Sequence, residues 1–260
     1  IVEAPDYSVI RNDRLFVAGM SGAPVLESEY RDIQRFKSIL LAQHRETPLE
    51  ELFPGRTIET PEGPVYCITR RHAVRIPEGA RESVRKQLEG DLTLVFGIGR
   101  QKERDLKRRG YRTIADLLQH RRFREPAVNC LNVLREGSAA EVLSLVSRWH
   151  PVSHPRCLCT AGLYRAEDFL FLDLETLGIY QRPVILSGLA FMEGGDLVTC
   201  QYLVRNMEEE LPALLATRNH LAAGKVLVTY NGRSFDVPYL VERYAMYGED
   251  CGVCNPHYDL

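Results

Sequence analysis

The stretch Phe169-Leu-Phe-Leu-Asp-Leu-Glu-Thr176 decides the fold class of this chain. Its alternation predicts a β-strand that places Asp173 and Glu175 on the same face, two residues apart. Two neighbouring carboxylates repel each other and are costly at the end of an apolar strand without a cation. Hard divalent ions such as Mg²⁺ prefer such oxygen ligands, although a strand end that simply meets solvent is the plain alternative.

A second polar motif, Asn231-Gly-Arg-Ser-Phe-Asp236, follows an apolar strand predicted over residues 225–230. The pattern predicts a strand, a polar turn and a helix that starts near Asp236. Taken alone, Asp236 is equally well explained as a carboxylate favoured by the helix dipole. Asn231-Gly232 alone is equally well explained as an ordinary turn.

The residues around these motifs predict an α/β arrangement. Three strands are expected at 169–174, 183–192 and 197–204, followed by a helix at 207–221 with Asn206 as its cap. A further strand at 225–230 and a helix at 235–247 complete the pattern. A strand meander followed by helix, strand and helix is typical of a mixed sheet flanked by helices.

The two motifs resemble the first two motifs of the DEDD (DnaQ-like) 3′–5′ exonucleases, which have an RNase H-like fold. Together with Leu186-Ser-Gly-Leu-Ala190 and Asn231-Gly-x-x-Phe-Asp-x-Pro-x-Leu240, they are most similar to the YprB-like branch. The resemblance implies a nuclease domain at residues 165–260 that hydrolyses DNA or RNA, with a single-stranded 3′ end as substrate. It implies two Mg²⁺ or Mn²⁺ ions. The residues implied as catalytic metal ligands are Asp173, Glu175 and Asp236, and those implied in substrate binding are Thr176, Asn231 and Phe235.

The family also has a fourth acid, an Asp preceded four positions earlier by a His or Tyr that acts as the base. The sequence stops at His257-Tyr-Asp-Leu260, so we expect this motif to lie beyond Leu260 and the domain to be incomplete. Asp259 is the alternative for the fourth acid. The competing interpretation of the whole chain is a non-catalytic nucleic-acid-binding protein that uses a truncated RNase H-like fold as a scaffold.

Residues 1–150 are predicted to form an α-rich region, and 151–164 a linker with prolines. Within the first region, 27–49 and 78–88 read as helices, and 57–69 reads as a β-hairpin with its turn at Pro61-Glu-Gly-Pro64. Two further helices are expected at 113–119, with Thr113 as its cap, and at 138–149, with Ser138 as its cap.

The segment 81–125 carries thirteen Lys and Arg against seven Asp and Glu, whereas 161–260 carries seven against fourteen. Phe96-Gly-Ile-Gly-Arg100 and the basic helix after it, which ends before Gly110, resemble a helix-hairpin-helix. Its glycine turn implies backbone N–H groups that face a phosphate. The expected nucleic-acid backbone contacts are Gly97, Gly99, Arg100, Lys102 and Arg108. The alternative is a helical packing module with a solvated basic face.

Composition narrows the possible protein classes and cellular environments. The formal net charge is −2, and no apolar run approaches the roughly 18 residues of a membrane span. Seven cysteines and the lack of a secretory leader favour a reducing, cytoplasmic environment. Cys157-x-Cys159 and Cys251-x-x-Cys254 invite a zinc interpretation, but free thiols are favoured over it. The oligomeric state is not indicated.

Overall fold

The computed structural model of this protein describes residues 27–76, 81–178, 182–221, 225–253 and 256–260. The chain divides into two compact units, Ile1–Pro54 and Gly55–Leu260. The described part of the first unit holds helix α1 (Glu27–His44) and the short helix α2 (Leu49–Leu52). Several apolar side chains of α1 are exposed: Ile33, Phe36, Ile39, Leu40 and Leu41.

A seven-stranded sheet organises the second unit. Its strands are β1 (Arg56–Thr60), β2 (Gly63–Ala73), β3 (Phe169–Thr176), β4 (Val184–Glu193), β5 (Asp196–Leu203), β6 (Val226–Thr229) and β7 (His257–Asp259). They lie in the order β1-β2-β5-β4-β3-β6-β7. The pairs β1–β2, β2–β5, β5–β4 and β4–β3 are antiparallel, whereas β6 pairs in parallel with both β3 and β7. The predicted mixed sheet, consistent with an RNase H-like fold, is therefore confirmed.

The hairpin β1–β2 belongs to this sheet, although the sequence pattern placed it with the N-terminal region. Strand β2 pairs with β5 in a register that runs from Tyr66 opposite Leu203 to Ala73 opposite Asp196. Such pairing joins segments far apart in the chain and depends on edge hydrogen bonds, which leave no mark on local periodicity. The role of the hairpin is to extend the sheet.

Helices α8 (Glu210–Arg218) and α9 (Asp236–Met246) contribute to the apolar core on one face of the sheet. Alternation along β3 turns Leu170, Leu172 and Leu174 into this core. Each fully buried leucine stabilises the fold by about 1.5–3 kcal/mol. As predicted, Asn206 caps the segment before α8, because its side chain accepts a hydrogen bond from the Glu208 N–H at 3.0 Å.

Residues 81–168, which we call the helical half, surround a second apolar core. The remaining described residues of the second unit form the sheet half. The helices of the helical half are α3 (Arg81–Glu89), α4 (Arg100–Arg108), α5 (Arg124–Glu136), α6 (Ala139–Ser147) and α7 (Pro155–Leu158). Ser138 caps α6 in a capping box with Glu141, as its position predicted. The helix expected at 113–119 is a 3₁₀ turn at Ala115–Gln119.

Helix α5 was not predicted from the sequence. Its buried residues Ala127, Cys130, Leu131 and Leu134 follow helical spacing. Pro126 lies in the first turn, where its missing N–H costs nothing. The periodicity was therefore present, but a proline among several arginines obscured the start of the helix.

Residues 151–164, expected to be a linker, instead carry α7 and a 3₁₀ turn, and the Cys157 side chain is fully buried in the helical half. This segment also joins the two halves, because Val228 and Tyr258 of the sheet pack with Tyr164. The Thr160 hydroxyl lies 2.7 Å from the Tyr258 hydroxyl and joins them further. Within the described ranges, no helix has both the length and the apolar composition of a membrane-spanning segment.

Candidate active site

Strand β3 presents two carboxylates on the face opposite the leucines. Phe171, Asp173 and Glu175 are all exposed, in strict alternation with buried neighbours. The residue opposite Asp173 on β4 is Gly188, which has no side chain to crowd the carboxylate. The predicted Asp-x-Glu face is therefore accessible to a ligand.

Asp236 lies against the same strand. The last residue of β3 that pairs with β6 is Phe171, opposite Val228, so β3 continues beyond its parallel neighbour. Beyond β6, the Asp236 carboxylate provides a hydrogen-bond acceptor for β3, because its Oδ1 accepts a hydrogen bond from the Leu174 N–H at 2.9 Å. Asp236 is 4% exposed and begins helix α9. The fold therefore attaches the second-motif acid to the backbone between Asp173 and Glu175.

The pKa of Asp236 reflects its burial and its acidic neighbours. Burial raises the pKa of its carboxyl group, and the negative charges of Asp173 and Asp259 raise it further. The hydrogen bond from Leu174 opposes these effects without cancelling them. Negative charge is therefore concentrated where the two motifs meet, and a bound cation would relieve it.

The backbone conformation of the loop between β6 and α9 restricts which residues can occupy it. Asn231 has a φ of 56°, in the left-handed region. A Cβ atom at Gly232 would lie 2.4 Å from the Cβ of Thr229, so only glycine fits there. Asn231 itself is exposed. Gly232 is thus required by the loop, and Asn231 occupies a conformation that asparagine tolerates better than most residues.

Asp259 on β7 holds this loop in place. Its Oδ1 accepts hydrogen bonds from the Gly232 N–H and the Thr229 hydroxyl, both at 2.7 Å, and its Oδ2 accepts one from the Arg233 N–H at 3.2 Å. Burial acts to raise the pKa of Asp259, but the Thr229 hydroxyl and the two backbone donors outweigh it and lower the pKa. The sequence left Asp259 as an alternative metal ligand; its contacts give it a structural role in the loop.

His257 completes the network behind the loop. The Thr229 hydroxyl donates its proton to Asp259, so it accepts a hydrogen bond from Nε2–H of His257 at 2.7 Å. Burial lowers the pKa of this histidine. We infer a neutral imidazole with its proton on Nε2. Only the β6–β7 register, with Thr229 opposite Asp259, brings these groups together.

The residues predicted to bind substrate are placed differently from one another. Thr176 donates a hydrogen bond to the Gly178 carbonyl at 2.8 Å and lies at an irregularity of β3. Phe235 packs against the core with its ring 5.1 Å from that of Tyr239. Of the three residues, Asn231 is thus the one whose side chain is exposed.

The side chains of the described residues form no group of three or more His, Cys, Asp or Glu gathered to hold a metal ion. This statement covers Asp173, Glu175 and Asp236, and their role as metal ligands stays a prediction. It also covers the zinc interpretation for the described cysteines. Burial raises the pKa of the thiols of Cys157, Cys159 and Cys251. Cys254 lies outside the described residues.

The comparison with protein families agrees with this geometry. Residues 170–260 match a family model described as the RNase H superfamily. The match covers about a third of the chain, contains all three acids, and indicates a nuclease-like fold for the segment from β3 to β7. Searches of curated proteins and of solved structures each gave no match.

The basic segment lies in the helical half, and only part of the predicted set comes together. Gly97, Gly99 and Arg100 line one cavity. Lys102 folds back on the turn, because its Nζ donates to the Gly97 carbonyl at 2.8 Å. Arg108 sits at the far end of α4 in an ion pair with Asp105 at 2.6 Å. Gly110 has a φ of 98° just after the helix, as expected of a C-terminal glycine.

Proposed function

We propose that this protein hydrolyses phosphodiester bonds of DNA or RNA in a metal-dependent reaction, as a 3′–5′ exonuclease with its hydrolytic region at residues 165–260. The observation that carries the proposal is the meeting of two motifs on one strand. Asp173 and Glu175 are exposed on β3, and Asp236 is hydrogen-bonded to the backbone between them. The RNase H superfamily match supports a nuclease, and the direction of cleavage rests on the resemblance to DEDD exonucleases.

The donor chemistry of these residues fits two Mg²⁺ or Mn²⁺ ions, with Asp173, Glu175 and Asp236 as ligands. Such ions prefer carboxylate oxygens. Burial raises the pKa of Asp236, the charge of Asp173 raises it further, and a cation beside these groups would favour their charged forms. When bound, they lower the pKa of a coordinated water and neutralise charge on the phosphate. The chain itself holds Asp236 in position through Leu174 and fixes the loop before it through Asp259.

A groove beside the acids supports single-stranded nucleic acid as the substrate. Its volume is about 990 Å³, and its lining includes Phe171, which is 44% exposed, and the partly buried Phe169. Phe171 precedes Asp173 by two residues on the same face of β3. Arginines 75, 81 and 165 also line the groove. Aromatic rings that stack unpaired bases, beside cations that contact phosphates, are the usual components of a single-strand path.

The competing function is non-catalytic binding of nucleic acid, with the RNase H-like fold as a scaffold. One observation favours it, namely that the described side chains include no cluster of three metal-binding groups. The two functions differ in one measurable respect. An enzyme needs Asp173 for cleavage, whereas a scaffold does not cleave at all.

The test is a cleavage assay with Mn²⁺ on single-stranded DNA and RNA labelled at the 5′ end. We expect progressive shortening from the 3′ end by the wild-type chain, and no detectable product from Asp173→Asn. Asp196→Asn is the matched control, because Asp196 lies at the start of β5 on the same sheet. Oligonucleotide binding without Asp173-dependent cleavage would contradict the enzyme and favour the scaffold.

A further inference from the structure

A cavity of about 400 Å³ lies in the helical half, apart from the acids of β3. Its lining includes the turn glycines Gly97 and Gly99 together with Arg100, Trp149 and His150. The volume falls in the range of small-molecule sites in proteins. Apolar surface with a few polar groups is the usual lining of such a site.

A second aromatic ring lies beside Trp149, that of Phe96, which precedes the lining residue Gly97 and is not itself part of the lining. Phe96 is 75% exposed and Trp149 is 43% exposed, and their ring centroids lie 6.2 Å apart. The two residues before Phe96 are not exposed, since Leu94 and Val95 are almost fully buried. Folding therefore does not require Phe96 at the surface, and exposing an aromatic pair costs hydrophobic stabilisation that a ligand would recover.

The charge at the cavity fits an anionic ligand. The Arg100 side chain makes no hydrogen bond or ion pair with the other described residues. On the same helix, by contrast, Lys107 is paired with Glu103, 2.8 Å apart. The Nε2 atom of His150, also buried at this site, has no hydrogen-bond partner among the described residues. It lies 3.4 Å from a carboxylate oxygen of Asp91.

We propose that this cavity binds one unpaired nucleotide of a single-stranded nucleic acid. The base stacks on Trp149, with Phe96 at the rim, and the adjoining phosphate contacts Arg100. Aromatic stacking accepts any base, because every base has a π-face. The site shares with the proposed function only the class of ligand. Binding here involves neither Asp173 nor a metal ion, so it holds or fails independently of cleavage.

Trp149 is the only tryptophan of the chain, so tryptophan fluorescence reports on the surroundings of this cavity-lining residue. The probes are a ten-nucleotide thymidine strand and a strand of equal length and charge whose positions are all abasic, both in EDTA to prevent cleavage. We expect saturable quenching by the first strand and binding at least about five-fold tighter than that of the abasic strand. Equal affinity for the two strands, or no quenching by either, would overturn the proposal.

Variants locate the effect, with affinity measured by the anisotropy of labelled strands. We expect Trp149→Leu and Phe96→Ser each to reduce the preference for the strand with bases towards one. Phe96 is mostly exposed, so its replacement leaves the core intact. Arg104→Gln is the charge control on α4, because Arg104 does not line the cavity, and it should keep the preference. An unchanged preference in both aromatic variants would contradict stacking at this site.

Discussion

The sheet half and the helical half of the second unit are stabilised by different means. The sheet half buries Glu209, Glu210, Asp236 and Arg243, whereas the helical half buries one charged residue, Asp91. Burying a charge is costly unless it is paired, and in the sheet half Glu210 is paired with Arg243 and Glu209 with Arg205. Arg243 and Tyr247 donate hydrogen bonds to Glu210, as does the Val184 N–H. The comparison shows that hydrogen bonds fix the side chains around the acids of β3, whereas apolar packing holds the helices around the cavity lined by Trp149.

The largest expected effect comes from breaking the buried ion pair. Glu210→Gln leaves the Arg243 guanidinium buried without a countercharge, which should lower the free energy of unfolding by about 3–5 kcal/mol. The measurement is urea unfolding followed by circular dichroism. The matched control is Glu89→Gln, which removes the partner of the exposed Arg135 and should cost about 1 kcal/mol or less. A similar small loss for both variants would remove the contrast between the halves.

An intermediate effect is expected when a substitution creates a cavity in the apolar core of the helical half. Leu134 is fully buried on α5, and Leu134→Ala should cost about 2–5 kcal/mol. Val128→Ala on the same helix is the control, since Val128 is 39% exposed and should change stability little.

Glu210→Gln also tests whether the two halves unfold together. Trp149 belongs to the helical half, so its fluorescence follows that half, whereas circular dichroism follows the whole chain. We expect Glu210→Gln to shift the fluorescence transition as far as the dichroism transition, because the halves share the packing of Tyr164 on Val228 and Tyr258. A fluorescence transition that stays in place would mean that the helical half is an independent folding unit.

How far the sequence predicts the molecule follows from the range of the interactions involved. Strand alternation and helix periodicity are local, so β3 and α9 were predicted to within two residues, with Asp173, Glu175 and Asp236 on them. The pairing of β2 with β5 and the role of Asp259 depend on register between distant segments, and no local pattern encodes register. The Phe96–Trp149 pair joins a turn to the segment just after α6, so spacing alone did not reveal the cavity.

The smallest expected effect concerns Asp259. Asp259→Asn replaces one acceptor by a donor that faces the Arg233 N–H, and should cost about 1–2 kcal/mol at neutral pH. Because the pKa of Asp259 is lowered in the folded state, the stability it contributes is present above the unfolded-state pKa of about 3.9 and is lost as the pH falls further. The difference between wild type and variant should therefore shrink below about pH 4. A difference that is constant between pH 7 and pH 3 would contradict this role.

The clasp between Asp259 and the Asn231–Arg233 loop also sets an order of events during synthesis. A ribosome releases the chain from its N-terminus onward, so β3 and its two exposed acids emerge long before Asp259 does. Until β7 has joined the sheet, the left-handed turn at Asn231 lacks the carboxylate that fastens it, and Asp236 lacks a fixed approach to Leu174. The acidic centre is therefore assembled only after residue 259 has been translated, and until then a nascent chain carries its carboxylates in an unassembled state.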